Sequence, residues 1–272
     1  MKLFGGYDKP GRGIPKAPME KKGWIKCVEI YGRRMWQLMA LNMLFVLSII
    51  PVVTIGPAIA AMTKVCRNWS QERNAFLWAD YWEAFKKNFK QSFIMGIIDL
   101  LFIVSFSVAI PSYNEWAKSS QFMYVPFILC LSCSIVFFMM HFYIYLMIVS
   151  TKLSLGKIVK NAFLLVSLGL KGSLWTLLMW IFLFFALFIL YPVSLVLFFF
   201  WTFSFLCFVG CFNCYPTVRK YVIQPYYDQR GEDNPEFDYL KTEDEAVFED
   251  RGIEEPVKEK EDKPKSKPKT IS

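Results

Sequence analysis

The chain has 272 residues, 55% of them hydrophobic and 18% aromatic, a composition too apolar for an ordinary soluble domain and typical of a membrane protein. Its net charge of +8 combines residues 1–227, which carry 22 basic and 8 acidic side chains, with residues 228–272, which carry 9 basic and 15 acidic. The basic part suits a lipid bilayer with anionic headgroups, and we predict no nucleic-acid partner.

The first apolar stretch consists of two short limbs, about 35–50 and 57–69. A helical crossing needs about 20 apolar residues. We therefore expect the limbs either to cross as thin, tilted helices or to form a re-entrant pair. The candidate membrane turn between them is formed by Pro51, Thr54, Gly56 and Pro57.

Lysine and arginine are distributed unevenly between the apolar stretches. If the first stretch enters and returns at this turn, the loops hold 21 of these residues on one side of the membrane and 1 on the other. A single crossing would divide them 10 to 12 and give no orientation. The positive-inside rule then places both termini in the cytoplasm. Residues 1–34 are predicted to be a charged cytoplasmic segment, and they do not resemble a cleaved signal peptide.

Four further apolar runs predict crossings at about 93–110, 122–150, 174–190 and 193–212. The predicted fold class is an all-α polytopic membrane protein with about six membrane segments, in a helical membrane domain at 35–213. Residues 214–272 are predicted to be a charged cytoplasmic tail. From about residue 228 the tail is expected to be mostly disordered, because it has few large apolar residues to bury.

Two basic amphipathic segments, 78–93 and 155–170, each precede a pair of crossings, and we expect both to lie in the cytoplasmic interface. Phenylalanines recur every four residues in the first segment, which stacks them on one helical face. Membrane anchoring is the simpler interpretation, and docking of a cytoplasmic protein is the alternative. The candidate docking or interfacial residues are Phe85, Lys86, Lys87, Phe89, Lys90, Lys157 and Lys160.

Asp99 and His141 are polar residues inside predicted crossings. A charged side chain in mid-membrane is costly, by about 2.5 to 3.5 kcal/mol on insertion scales. Both residues fall roughly 9 to 14 Å from the cytoplasmic end of their helices, so antiparallel neighbours would bring them to one depth. The hypothesis is a buried ion pair or proton-sensitive contact. The alternative is that Asp99 faces water inside the bundle while His141 only hydrogen-bonds a neighbour.

Catalytic and metal-binding patterns are missing from the sequence. It has no Gly-rich phosphate loop and no Gly-x-Ser-x-Gly elbow, and its single histidine leaves little to complete a zinc site. Two Cys-x-x-Cys pairs, at 130–133 and 211–214, lie in or beside apolar runs, where cysteine acts as a small hydrophobic residue. We therefore predict that the protein is not an enzyme and that it has no catalytic residues, no metal and no cofactor.

Several segments resemble the YesL-like family of bacterial integral membrane proteins. They are Leu-Phe-Gly-Gly-Tyr-Asp at 3–8, Leu-Asn-Met-Leu at 41–44, Ile-Pro-Val-Val-Thr-Ile-Gly-Pro-Ala at 50–58 and Phe-Lys-Lys-Asn-Phe-Lys-Gln at 85–91. The resemblance implies a multi-pass protein of the bacterial plasma membrane whose function is unknown. Family members are often encoded beside sugar-uptake genes, and the family offers no catalytic or binding residues to carry over.

Three hypotheses of function follow from the sequence and the resemblance. The first is an accessory component of carbohydrate uptake, with transporter subunits as partners. The second is a small solute transporter or channel in which Asn42, Asp99 and His141 line a path. The third is a structural membrane adaptor that acts through its acidic tail.

Overall fold

The computed structural model of the protein describes residues 23–231. The chain divides into two units, Met1–Tyr226 and Tyr227–Ser272. All contacts described below lie within the first unit. The described residues of the second unit, 227–231, are the last residues of the final helix and the turn that follows it. Most of the predicted N-terminal segment 1–34, and the tail predicted to be disordered, lie outside the described residues.

The described part of the chain consists of helices joined by short turns and loops, without strands. Its α-helices are α1 (Gly23–Arg33), α2 (Met35–Ser48), α3 (Ile55–Ser70), α4 (Leu77–Lys87), α5 (Phe89–Ser119), α6 (Tyr124–Ser150), α7 (Leu155–Leu168), α8 (Leu170–Ile189), α9 (Ser194–Leu197), α10 (Phe203–Val218) and α11 (Gln224–Asp228). Two π-helical segments, Phe198–Thr202 and Arg219–Ile223, join α9, α10 and α11 into one continuous stretch that runs past residue 213.

Four helical stretches within residues 23–231 are long and apolar enough to cross a membrane: Phe89–Ser119, Gln121–Ser150, Leu170–Ile189 and Ser194–Asp228. The prediction of a multi-pass helical membrane protein is confirmed at this level. The predicted count of about six is not, because α2 and α3 have only 14 and 16 residues. At 1.5 Å per residue they measure about 21 and 24 Å, short of the roughly 30 Å hydrocarbon core.

The short helix α3 is the most deeply buried element of the described chain. Twelve of its 16 residues are buried, and it packs against α4, α5, α6 and α10. Small side chains let its backbone approach its neighbours closely, as in other membrane helix pairs. The closest approach is to α5: a Cβ added to Gly56 would lie 2.0 Å from the Ser92 carbonyl oxygen.

Burial is concentrated in one part of the long helices. In α6 the buried residues run from Met139 to Ile148, and in α8 they are Ser173 and Thr176 alone. The remaining turns expose large apolar side chains such as Leu101, Phe182 and Phe185. In a membrane protein these are the surfaces that meet lipid, because there is no hydrophobic penalty for contact with acyl chains.

The first amphipathic segment differs from its prediction as one helix over 78–93. Asn88 interrupts this helix. Its side-chain amide donates a 3.2 Å hydrogen bond to the Ala84 carbonyl, which satisfies a carbonyl at the end of α4. Phe89 then begins α5. The predicted phenylalanine stack persists across the break, with ring centroids 5.8 Å apart from Phe85 to Phe89 and again from Phe89 to Phe93.

Glu72 ends α3 in the left-handed conformation, with φ 60°. Its N–H bonds to the Trp69 carbonyl and the Arg73 N–H to the Asn68 carbonyl, both at 3.0 Å, which is the Schellman pattern. Glycine usually occupies this position. Here the Glu72 carboxylate instead pairs with Lys26 at 2.9 Å and with Arg33, both in α1. These contacts tie α1 to the end of α3.

We predict that the Glu72 ion pairs stabilise the fold in a pH-dependent way. The hydrogen bond from Lys26, followed by that from Arg33, holds the pKa of Glu72 below its usual value against the opposing effect of burial. Because the folded pKa is the lower one, this stabilisation is complete above the unfolded pKa of about 4.3 and is lost as the pH falls through the folded value. Glu72→Gln should therefore be less stable than the wild type at pH 7, by under about 1 kcal/mol because the pair is solvent-exposed.

Melting of both proteins in detergent at pH 7 and at about pH 3 checks this prediction. The difference in Tm should shrink at the lower pH. An unchanged difference would show that the carboxylate charge contributes nothing.

Candidate functional site

The structure brings together the two residues predicted to pair inside the membrane. Asp99 in α5 is 7% exposed, and its Oδ2 lies 3.4 Å from Nδ1 of His141 in α6. The same oxygen accepts a 2.7 Å hydrogen bond from the Tyr145 hydroxyl. Tyr145 was not predicted, although its position four residues after His141 places it on the same helical face. The cluster is thus a triad, Asp99–His141–Tyr145.

The second carboxylate oxygen of Asp99 takes no part in these contacts. Oδ1 is buried and has no hydrogen-bond partner among the described residues. A buried acceptor left unsatisfied costs about 1 to 3 kcal/mol, and more when it is charged. Such a group is a candidate point of contact for a ligand.

A cavity of about 970 Å³ lies beside the triad, with Asp99 and His141 in its wall. It follows α5 from Phe93 to Pro111, a distance of about 27 Å along the helix. Most of the other lining side chains are aliphatic or aromatic. A second cavity of about 260 Å³ shares His141 and Trp180 with the first.

The triad makes a direct prediction about stability. Tyr145→Phe removes the hydrogen bond to Asp99 and leaves Oδ2 with only the longer His141 contact. We expect a loss of about 2 kcal/mol, because the acceptor is a buried carboxylate. The matched control is Tyr124→Phe, since Tyr124 is exposed; thermal melting in detergent should show no change for it. Equal Tm values for the two variants would contradict a structural role for the Tyr145 bond.

The predicted membrane turn forms part of the cavity wall. Val52 and Val53 are exposed and line the cavity. The Thr54 hydroxyl is within hydrogen-bond distance of the Ser48 and Pro51 carbonyl oxygens, which closes the turn on itself. Gly56 and Pro57 are buried at the start of α3. The turn therefore positions both the α3–α5 crossing and the cavity wall.

The predicted docking lysines are all exposed. Lys86 and Lys87 end α4, Lys90 lies in the first turn of α5, and Lys157 and Lys160 lie in α7. Gln91 donates a 3.0 Å hydrogen bond to the Leu153 carbonyl, which ties the start of α5 to the segment before α7. We call these five lysines the basic surface. Phe85 is half-buried and Phe89 is exposed.

Two polar residues central to the packing were not predicted in their roles. Asn42 is fully buried in α2 and bonds to the backbone where the π-helical segment meets α10, through the Phe199 carbonyl at 2.6 Å and the Ser204 N–H of α10 at 2.9 Å. It does not line either cavity. Arg67 in α3 is buried, donates to the Ser150 hydroxyl at 2.7 Å and lies over the Tyr215 ring.

The seven cysteines are free thiols. Cys211 lies 3.7 Å from the Thr63 carbonyl and Cys214 lies 3.9 Å from the Thr176 hydroxyl, so the two members of this pair face different partners. Within residues 23–231 no group of three His, Cys, Asp or Glu side chains has the arrangement to hold a metal ion.

Comparison with known proteins gives one match. No curated protein and no solved structure matches the chain. Residues 38–110 match the family model described as "Protein of unknown function, DUF624". The matched region contains the turn and Asp99 and ends before His141. YesL-like proteins belong to this family, so the predicted resemblance is confirmed. The match and the four long apolar helices together fit an integral membrane protein, similar over residues 38–110 to DUF624, a family of unknown function.

Proposed function

We propose that the protein is a non-enzymatic accessory component of carbohydrate uptake in the bacterial plasma membrane. In this proposal both termini are cytoplasmic, and the basic surface binds a cytoplasmic subunit of a transporter. The carbohydrate assignment rests on the resemblance to YesL-like proteins, whose genes often lie beside sugar-uptake genes.

The observation that carries the proposal is the exposure of five lysines on segments that are tied together. The Gln91–Leu153 hydrogen bond joins the start of α5 to the segment before α7, and the five lysines lie in α7, in the first turn of α5 and at the end of α4. A positive patch of this kind attracts a complementary acidic surface and fixes its orientation. The strong bias of basic residues to one side of the predicted topology supports a cytoplasmic position for this region in the proposal.

The cavity supports an accessory role rather than sugar transport by this chain alone. A sugar needs many hydrogen-bonding groups along its path, whereas the cavity wall is mostly apolar. Sites that discriminate hydroxyl-rich ligands place polar groups against them. The main support for the second candidate, a small solute transporter, is the Asp99–His141–Tyr145 triad in the wall; flux by the purified protein in vesicles would favour it.

Charge reversal tests the docking role. We expect the quadruple variant Lys86→Glu, Lys87→Glu, Lys157→Glu and Lys160→Glu to recover about tenfold less transporter ATPase subunit on copurification from native membranes. Such a drop corresponds to about 1.4 kcal/mol of binding free energy, shared among four reversed charges. The control is Lys118→Glu, which changes an exposed lysine at the other end of α5.

Both variants must be compared at equal protein yield. Loss of the subunit in the quadruple variant alone, with a difference from the wild type that shrinks at high salt because salt screens the charges, supports docking through this surface. Equal recovery with both variants would contradict it.

A further inference from the structure

Two buried polar atoms without hydrogen-bond partners belong to residues that line the large cavity. One is Asp99 Oδ1, an acceptor; the other is the indole Nε1–H of Trp180 in α8, a donor. Two serines also line the cavity, but each hydroxyl bonds to a carbonyl of its own helix: Ser107 to Ile103 at 2.6 Å and Ser134 to Leu131 at 2.8 Å. Among the described residues, these two are the buried polar atoms of this wall without a partner, and the other polar side chain there is His141, whose Nδ1 lies 3.4 Å from Asp99 Oδ2.

We propose that the cavity binds an apolar alcohol, a lipid-soluble molecule with a hydrocarbon body and one hydroxyl group held at Asp99. A hydroxyl is the smallest group that both donates and accepts a hydrogen bond. It donates to Asp99 Oδ1 and accepts from Trp180 Nε1. The hydrocarbon body fills the apolar remainder of the cavity.

The same two atoms select against related ligands. A fatty acid brings a second carboxylate to Asp99, which like-charge repulsion disfavours. An ether accepts from Trp180 but has no proton for Asp99. A protonated amine donates to Asp99 but cannot accept from Trp180. Only the alcohol uses both groups.

The shape of the cavity sets where the body lies. Asp99 is six residues after Phe93 and twelve before Pro111, so it divides the α5 wall into lengths of about 9 and 18 Å. The longer section passes Leu100, Ile103 and Phe106. A chain held by its hydroxyl at Asp99 therefore extends toward Pro111.

The test uses photo-crosslinking and competition on the full chain in phosphatidylcholine vesicles. The probe is a sixteen-carbon primary alcohol with a diazirine in mid-chain, and cross-linked residues are mapped by mass spectrometry. The competitors are 1-hexadecanol, its methyl ether, palmitate and hexadecane. We expect cross-links at Leu100 and Ile103, and displacement by 1-hexadecanol at about one-tenth the concentration that the ether needs.

Two variants assign the contacts. Asp99→Asn presents an amide donor in place of the free acceptor, so the preference for alcohol over ether should be lost. Trp180→Phe should weaken the binding of the alcohol and of the ether by the same factor, because both ligands accept a hydrogen bond from the indole N–H. This variant leaves the triad intact and keeps the test decisive if Asp99→Asn fails to fold. Ser107→Trp fills the cavity and should abolish the cross-links, whereas Ser132→Trp, outside the lining, should not.

The competition also identifies the source of the alcohol. Displacement by dioleoylglycerol at a lower concentration than 1-hexadecanol would assign the site to a membrane glycerolipid with a free hydroxyl; the reverse order would assign it to a single-chain alcohol. Equal displacement by 1-hexadecanol, ether and hexadecane would show adventitious bilayer lipid only and overturn the proposal.

Discussion

The Gly56→Ala variant is expected to lose about 3 kcal/mol of stability, near the upper end of the range for overpacked sites. The added Cβ would lie 2.0 Å from the Ser92 carbonyl oxygen and 3.0 Å from the Gly96 Cα, and both contacts are with backbone. No side chain can rotate away, so α3 and α5 must separate. Because Asp99 lies one turn further along α5, the separation should also disturb the triad and the cavity.

Two other glycines provide the matched controls. Gly32 in α1 and Gly156 in α7 have nothing within 4 Å of an added Cβ. Alanine at these helical positions should raise stability slightly, by about 0.5 to 1 kcal/mol, because glycine is a poor helix former. The measurement is thermal unfolding in detergent, together with the monodisperse fraction on size exclusion. A Gly56→Ala protein as stable as Gly156→Ala would contradict the α3–α5 crossing.

The second large effect is expected for Asn42→Leu, which should lose about 3 kcal/mol of folding stability. A π-helical segment shifts the backbone hydrogen-bond pattern and leaves groups without helical partners. In lipid such groups must be satisfied by the protein. The Asn42 side chain does this from α2: it donates to the Phe199 carbonyl and accepts from the Ser204 N–H. Leucine has a similar size but can bond to neither group, and each lost bond costs up to about 1.5 kcal/mol.

Amide hydrogen exchange at Ser204 gives the most specific readout for this variant. Exchange should accelerate in Asn42→Leu, in parallel with the lower melting temperature. The control is Asn114→Leu, because Asn114 is exposed. Unchanged protection of the Ser204 amide would mean that the Asn42 bond is dispensable to the π-helical segment.

The membrane architecture was predictable because hydrophobic length is read directly from sequence. All four long runs correspond to long helices. Their ends were placed less well: the run predicted at 93–110 belongs to α5, Phe89–Ser119, which includes Pro111. Helices can continue beyond the apolar stretch and through a proline when neighbouring groups satisfy the backbone.

The candidate site was predictable only in part. Equal depth in antiparallel helices was enough to propose the Asp99–His141 contact. Tyr145 was missed because tyrosine is common in membrane helices and carries no charge to attract notice. Trp180 was missed because contact between α6 and α8 cannot be read from either helix alone. The pairing of Asn42 with a π-helical segment over 150 residues away likewise has no signal in hydrophobic periodicity.

The sidedness of the basic surface is the claim on which the proposed docking role depends. Single cysteines at Asn88, Gly156 and Ser119, in a background without other cysteines, would be exposed to a membrane-impermeant maleimide in intact cells. We expect labelling of Ser119→Cys alone, with Asn88→Cys and Gly156→Cys labelled only after the membrane is permeabilised. Labelling of Asn88→Cys or Gly156→Cys in intact cells would place the basic surface outside the cytoplasm and contradict the accessory role.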